Sequence, residues 1–330
     1  MLKKSLVALA VMAVAASLAG QANAAGALRD KWCKDVKLRV FVGGAEGDSF
    51  GSIVYNGAKQ AQADTGAQVE FIFSGWNTEK MVQQLREAVA SKPQGIAMMG
   101  HPGEDSIMPL AEQASKAGIK MMYQNVPVPK VVATYGGGYV GAQQEAQGRA
   151  LGLEAVRLAG LKAGDKVIMI GPFDMVERGA REIATVKAME GAGIKVVKLN
   201  SDPAWSADPN IALPVITAAV LNNPGVKAIG YPGGQLLGNV PTYMQAAKKK
   251  PGEIFSFGFD TSPQIVEAFK GGWVQLTADQ QPFLQGYLPV VNLCQQVVYG
   301  LGPINVDTGA GFVNAANYKM VGALATEGLR

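Results

Sequence analysis

The chain is 330 residues long and carries 30 basic residues, 26 acidic residues, one histidine and two cysteines. The length suits two lobes better than a single core. A formal charge of +4 is too slight for a nucleic-acid surface, and a lone histidine argues against a His/Cys zinc site or a Ser-His-Asp triad.

The chain begins with Lys3 and Lys4, an uncharged apolar run from Leu6 to Leu18, and the small-residue stop Ala22-Asn23-Ala24. This is the three-part pattern of a secretory signal peptide cleaved near Ala24/Ala25. The run is too short to span a membrane, which takes about 20 apolar residues. Gln21 stands where a lipoprotein would need cysteine, so the expectation is an unanchored, periplasmic chain. Without the leader, 28 basic residues face 26 acidic ones, a balance of +2. No later stretch is apolar enough for a transmembrane helix, so the mature chain is not membrane-embedded. In an exported protein Cys33 and Cys294 either pair as a disulfide or stay as two buried thiols. Nothing in the sequence fixes their separation.

Strand and helix patterns then alternate. Leu38, Val40 and Val42 mark a strand over 37–42, and Ile53, Val54, Gly57, Ala58 and Ala61 a helix over 53–64 stopped by Gly66. A strand over 69–73 leads to a helix capped by Asn77 or Thr78, with Met81, Leu85, Ala88 and Val89 at helical spacing. A strand over 96–99, a helix over 106–117 and a strand over 119–123 follow. After Gly141 the rhythm resumes with helices over 145–158, 177–190, 211–221 and 236–247. Strands over 166–170, 194–199, 226–231 and 255–259 fall between and after them. A short helix over 264–269, a strand over 274–277 and a long helix over 282–299 complete the reading. Ala117-Gly118-Ile119-Lys120 recurs as Ala192-Gly193-Ile194-Lys195, each reaching an Asn seven residues past its Gly (Asn125 and Asn200). This is a reused helix-to-strand unit.

Such alternation predicts an α/β fold with parallel sheets covered on both faces. Ten to twelve strands exceed one comfortable sheet, so two doubly wound lobes are expected, with a TIM barrel as the competing fold. Ligands of open parallel sheets sit beyond the carboxyl ends of the strands. The residues there are unusually polar: Asp48 and Phe50, Trp76, His101, Asn125, Arg178, Trp205, Gln235, Asp260 and Gln280. Carboxylates, amides and an arginine mixed with aromatics suit a polyhydroxylated ligand. Plainer roles compete at each position. Asp48 can cap the helix after it, Arg178 can pair with Glu182 four residues on, and Asp260 can cap the helix after Pro263. His101, Trp76 and Trp205 can be ordinary loop or packing residues. Gly43-Gly44 and Gly47 follow a strand but lack the G-x-G-x-x-G spacing of a dinucleotide cradle.

The chain also resembles the ribose-type periplasmic sugar-binding proteins. The likeness runs through Asp48-Ser49-Phe50 ahead of Asn56-Gly57-Ala58, Pro93-Gln94-Gly95-Ile96, Ala117-Gly118-Ile119 leading to Asn125, and Tyr139-Val140-Gly141. It continues through Glu177-Arg178-Gly179, Gly258-Phe259-Asp260, Thr277-Ala278-Asp279-Gln280, Gln281-Pro282-Phe283 and Asp307-Thr308-Gly309. The resemblance implies two doubly wound parallel-sheet lobes joined by a three-crossover hinge, the type I periplasmic binding fold. It implies lobes of residues 25–142 with 281–306, and 143–280 with 307–330. It further implies a monomer that closes on a monosaccharide or sugar alcohol (pentose, hexose, polyol or amino sugar) and delivers it to an ABC transporter permease, with no cofactor, metal or catalysis. By motif position, Asp48, Phe50, Asn125, Arg178, Asp260 and Gln280 contact the sugar, with His101 and Trp205 beside them. The chain departs from the ribose pattern at Asp48 and Asn125, which exchange the usual carboxylate and amide types, at Gly51, and over Tyr231–Gln235. These departures point away from ribose itself. A chemotaxis or autoinducer receptor shares the fold; a sugar-processing enzyme would need an acid–base pair or a metal.

Overall fold

The computed structural model describes residues 30–309 and 311–330. The signal peptide read in Met1–Ala24 lies outside the described residues. The unit formed by Cys33–Arg330 contains twelve strands among the described residues: β1 (Lys37–Gly43), β2 (Gln68–Phe73), β3 (Gly95–Met99), β4 (Lys120–Gln124), β5 (Gly138–Gly141), β6 (Lys166–Gly171), β7 (Lys195–Asn200), β8 (Val226–Tyr231), β9 (Phe255–Phe259), β10 (Leu276–Asp279), β11 (Asn305–Asp307) and β12 (Gly311–Asn314). They form two sheets, in the orders β11-β5-β4-β3-β1-β2 and β12-β10-β9-β8-β6-β7. The two orders correspond strand for strand, so each lobe is a doubly wound sheet and the barrel alternative falls. All pairs in the first sheet are parallel. In the second, the edge strand β12 runs antiparallel to β10, a departure from the all-parallel expectation. β12 follows β11 of the first sheet with no helix between them, so no helical crossover sets a parallel direction for it.

β3 is buried at every position, as expected of a central strand with helices on both faces. Met81, Leu85 and Ala88 of the helix Thr78–Ala90 lie in the same core as Ile96, Met98 and Met99. That helix starts where Asn77 Oδ1 accepts the Lys80 amide at 2.8 Å. A second core gathers Ile168, Ile229, Tyr231 and Tyr243 under the other sheet. The chain passes between the sheets after β5, after β10 and after β11, so three crossovers join the lobes.

The helix Pro282–Tyr299 returns from the second sheet to pack along Gly51–Thr65 of the first lobe. The approach is close enough to require glycine. A methyl on Gly57 would lie 2.0 Å from the Phe283 carbonyl oxygen, and one on Gly286 would lie 1.9 Å from that of Val54. A disulfide joins Cys33 to Cys294 of this helix, with Cα atoms 5.7 Å apart. The sequence left that pairing open; the structure makes it.

Several elements differ from the sequence reading. The helix expected to start at Glu177 starts at Ala180, leaving Glu177 and Arg178 in the preceding turn. The helix expected over 236–247 is two, Gly234–Gly238 and Val240–Ala246. Pro241 cannot donate to the carbonyl four residues back, which breaks the run.

Candidate ligand-binding site

The carboxyl ends of both sheets face one cavity of about 420 Å³. Seven of the eight residues singled out from the sequence line it: Phe50, His101, Asn125, Arg178, Trp205, Asp260 and Gln280. Asp48 does not. Its Oδ1 accepts the amides of Phe50 at 3.1 Å and Gly51 at 2.5 Å, closing the start of the helix Gly51–Thr65. Its Oδ2 accepts the Trp76 indole N–H at 2.9 Å and the Gln235 amide at 2.7 Å. The helix-start role available to any aspartate in that position takes up this carboxylate.

The first lobe supplies the aromatic wall. Phe50 is buried and has its ring 5.8 Å from that of Trp76, whose indole lies 5.0 Å from the His101 ring. Trp76 sits at a φ of 59°, with its amide on the Gly43 carbonyl at 3.0 Å and its indole N–H on Asp48. A methyl at Gly43 would meet the indole at 2.4 Å, so Gly43 makes room for the ring. His101 is buried, and its Nδ1 has no hydrogen-bond partner. Burial, then the nearby Arg178 and Arg181 guanidiniums, hold its pKa well below the ordinary value. The imidazole is therefore neutral at physiological pH and offers one donor and one acceptor.

The second lobe supplies the charges. Arg178 Nη1 stands 3.7 Å from Glu182 Oε1, and Arg181 Nε reaches the same oxygen at 3.0 Å. The pairing of Arg178 with Glu182 is thus present but loose; Arg181 makes the tight one. Arg181 also donates to the Pro232 carbonyl at 2.5 Å and stacks 4.2 Å above the Phe259 ring. Glu182 is fully buried and its Oε2 has no partner. Two guanidiniums share the Glu182 carboxylate, and the Asp260 carboxylate acts on Arg178 as well, so the cavity is lined by charges of both signs. Burial lowers the Arg178 pKa, but a guanidinium stays protonated regardless. Arg181, on the helix Ala180–Gly191, lines the cavity as well, and the sequence did not single it out.

The floor is a chain of amides crossing between lobes. Asn125 Nδ2 donates to Gln280 Oε1 at 3.1 Å and to Gln285 Oε1 at 3.0 Å, and Gln280 Nε2 donates to Asp260 Oδ1. Asp260 Oδ2 accepts the Gly234 amide at 2.8 Å. Asn125 and Asp260 both sit at left-handed φ values, 66° and 78°. Asn and Asp tolerate that region best among non-glycine residues, so each side chain is aimed by a backbone turn at its strand end. Trp205, on the short helix Ala204–Ala207, is buried in the second core and closes one side of the cavity. Trp76 and Gln235, which follow β2 and β8, also line it.

With this geometry in place, comparison with known proteins gives the class. The family model for the periplasmic binding protein domain matches residues 39–300, and the chain belongs to that family. The homologues found are binding and transport proteins, not enzymes. It is 23% identical over 255 residues to the xylose/arabinose-binding protein XylF of Sulfolobus acidocaldarius, an alignment covering 74% of this chain and 62% of that protein. It spans less than two thirds of that relative's length. A carbohydrate transporter from Acidothermus cellulolyticus, solved with myo-inositol, superposes with a TM-score of 0.77 at 22% identity, covering 89% of this chain and 99% of the other. A Burkholderia graminis ABC transporter solute-binding protein, solved with D-arabinose, superposes with a TM-score of 0.75 at 22% identity, covering 88% and 98%. These likenesses establish the type I periplasmic binding fold.

Proposed function

We propose that the chain is the solute-binding component of an ABC importer. It works in the periplasm after loss of the Met1–Ala24 leader, captures a monosaccharide or sugar alcohol, and delivers it to a permease. The observation that carries this reading is the cavity between the lobes. Its ionic groups and amides are already arrayed to satisfy adjacent hydroxyls, and Phe50, Trp76 and Trp205 present aromatic surface for the C–H faces of a ring. The lobes, taken as residues 25–142 with 281–306 and 143–280 with 307–330, rotate about the three crossovers to bury the ligand. The sugars named for the relatives above fit the same chemistry.

The test is a thermal-shift panel of pentoses, hexoses, inositols, sugar alcohols and amino sugars. One member at about 1,000 times its Kd should stabilise the protein by ~4 kcal/mol. A panel in which none raises the melting temperature overturns the transport reading. For the exported protein, intact-mass spectrometry should give an N-terminus near Ala25 without lipid; a retained Met1 overturns the localisation. Among the described residues, no helix is long and apolar enough to cross a membrane.

A further inference from the structure

Gln235 does more than line the cavity. A second crevice of about 330 Å³ lies beside the first, and Trp76, Ser206 and Gln235 border both. The boundary between them is therefore made of these side chains. It is also hydrogen-bonded: Asp48 Oδ2 accepts the Trp76 indole from its own lobe and the Gln235 amide from the other. Asp48 and Trp76 follow β1 and β2 of the first sheet, whereas Gln235 follows β8 of the second. The wall is thus half built in each lobe and is complete only when they meet. Asp48 is anchored independently by the helix amides of Phe50 and Gly51. Its carboxylate is a fixed target, and Gln235 is the part that arrives. Another crossing, in which the Glu104 amide donates to Glu177 Oε2 at 3.2 Å, is longer.

We infer that Gln235 is a positioning residue for ligand retention: by bonding Asp48 on closure it seals the cavity from the second crevice and sets the lifetime of the closed form. This rests on the sugar-binding reading above. An amide bonded to a carboxylate is charge-assisted and strengthens where water is excluded. Without Gln235 the cavity opens into the crevice, and the retained Asp48 loses one donor.

Because Gln235 meets Asp48 only after encounter, its loss should act on release and not on capture. Stopped-flow fluorescence would follow the tightest-binding of D-xylose, D-arabinose, D-galactose and myo-inositol. Gln235→Ala should release it about 10-fold faster than the native protein, with association changed less than 2-fold. Gln235→Glu sets a carboxylate against Asp48 and should release it at least 50-fold faster. Gln235→Lys restores a donor and adds opposite charge, so release should return to within 3-fold of native. A merely structural role would not sort these variants by the sign of the charge. Equal release rates in all four proteins, or a loss confined to association, overturn the inference while leaving the sugar reading intact. A native protein that binds no member of the panel of pentoses, hexoses, inositols, sugar alcohols and amino sugars overturns both.

Discussion

Replacing Asp260 with alanine should weaken sugar binding at least 100-fold, a loss of about 3 kcal/mol. The carboxylate accepts the Gly234 amide on Oδ2 and the Gln280 amide on Oδ1. A carboxylate has about four lone-pair sites, so two remain for the cavity that Asp260 lines. Two neighbouring hydroxyls can donate to them at once, each worth about 1.5–3 kcal/mol as a bond to a charged group. In the alanine variant those hydroxyls stay buried and unpaired, and Arg178 and Arg181 keep only Glu182 for balance. Alanine also adopts the 78° φ of this position poorly, at a cost of about 1–2 kcal/mol, so the variant should melt lower as well. Asp260→Asn separates the effects. Asparagine tolerates the same backbone and still accepts the Gly234 amide, but its NH2 then faces the Gln280 Nε2 donor, so its melting temperature should fall, though less than that of the alanine variant. It lacks the charge, and its binding should fall about 10-fold. Calorimetry on the two variants reads both numbers. Native affinity in the alanine variant would remove Asp260 from the site.

The sequence carried the alternation of strands and helices because burial imposes it. Central strands read as apolar runs, and helices read as stripes bounded by Asn77, Gly66 and Gly118. It missed what only tertiary pairing creates. β11 is three residues, Asn305–Asp307, with one apolar side chain, and exists because β5 lies beside it. β5 follows Gly136 and Gly137, whose positive φ values read locally as a break. The lining of the cavity was legible because residues that follow parallel strands come together at the carboxyl edge of the sheet. Asp48 shows where that logic stops. An aspartate ahead of a helix can serve the helix or the ligand, and its composition is identical in both roles. Arg181 was passed over for the opposite reason: inside a helix it looks like a solvated charge, and only the fold shows it buried against Phe259 and Glu182.

Removing the Cys33–Cys294 disulfide should lower stability by up to ~5 kcal/mol, while sugar affinity stays within about 3-fold of native. The bond closes a loop of 261 residues that contains five of the six strands of the second sheet. Cross-linking so long a loop withdraws a large chain entropy from the unfolded state. What it fixes in the folded state is the return of Pro282–Tyr299 to the first lobe. That helix is also held by its close glycine contact with Gly51–Thr65 and by packing on β3, β4 and β5. Both cysteines are fully buried, so alanine is the better replacement; a serine hydroxyl there would lack a partner. The double variant Cys33→Ala/Cys294→Ala should melt roughly 10 °C lower than the oxidised native protein, and native protein treated with a reductant should fall similarly. Binding should persist because the bond lies at the wrong end of the sheet. Cys33 precedes β1, whereas the ligand meets the residues after it, and seven strand residues at about 3.3 Å each separate the two ends by ~20 Å. Unchanged melting in the double variant would show that the helix contacts alone hold the lobe together. A large loss of affinity at a temperature where the variant is still folded would show that the returning helix transmits its position to Gln280 and Gln285 at the cavity floor.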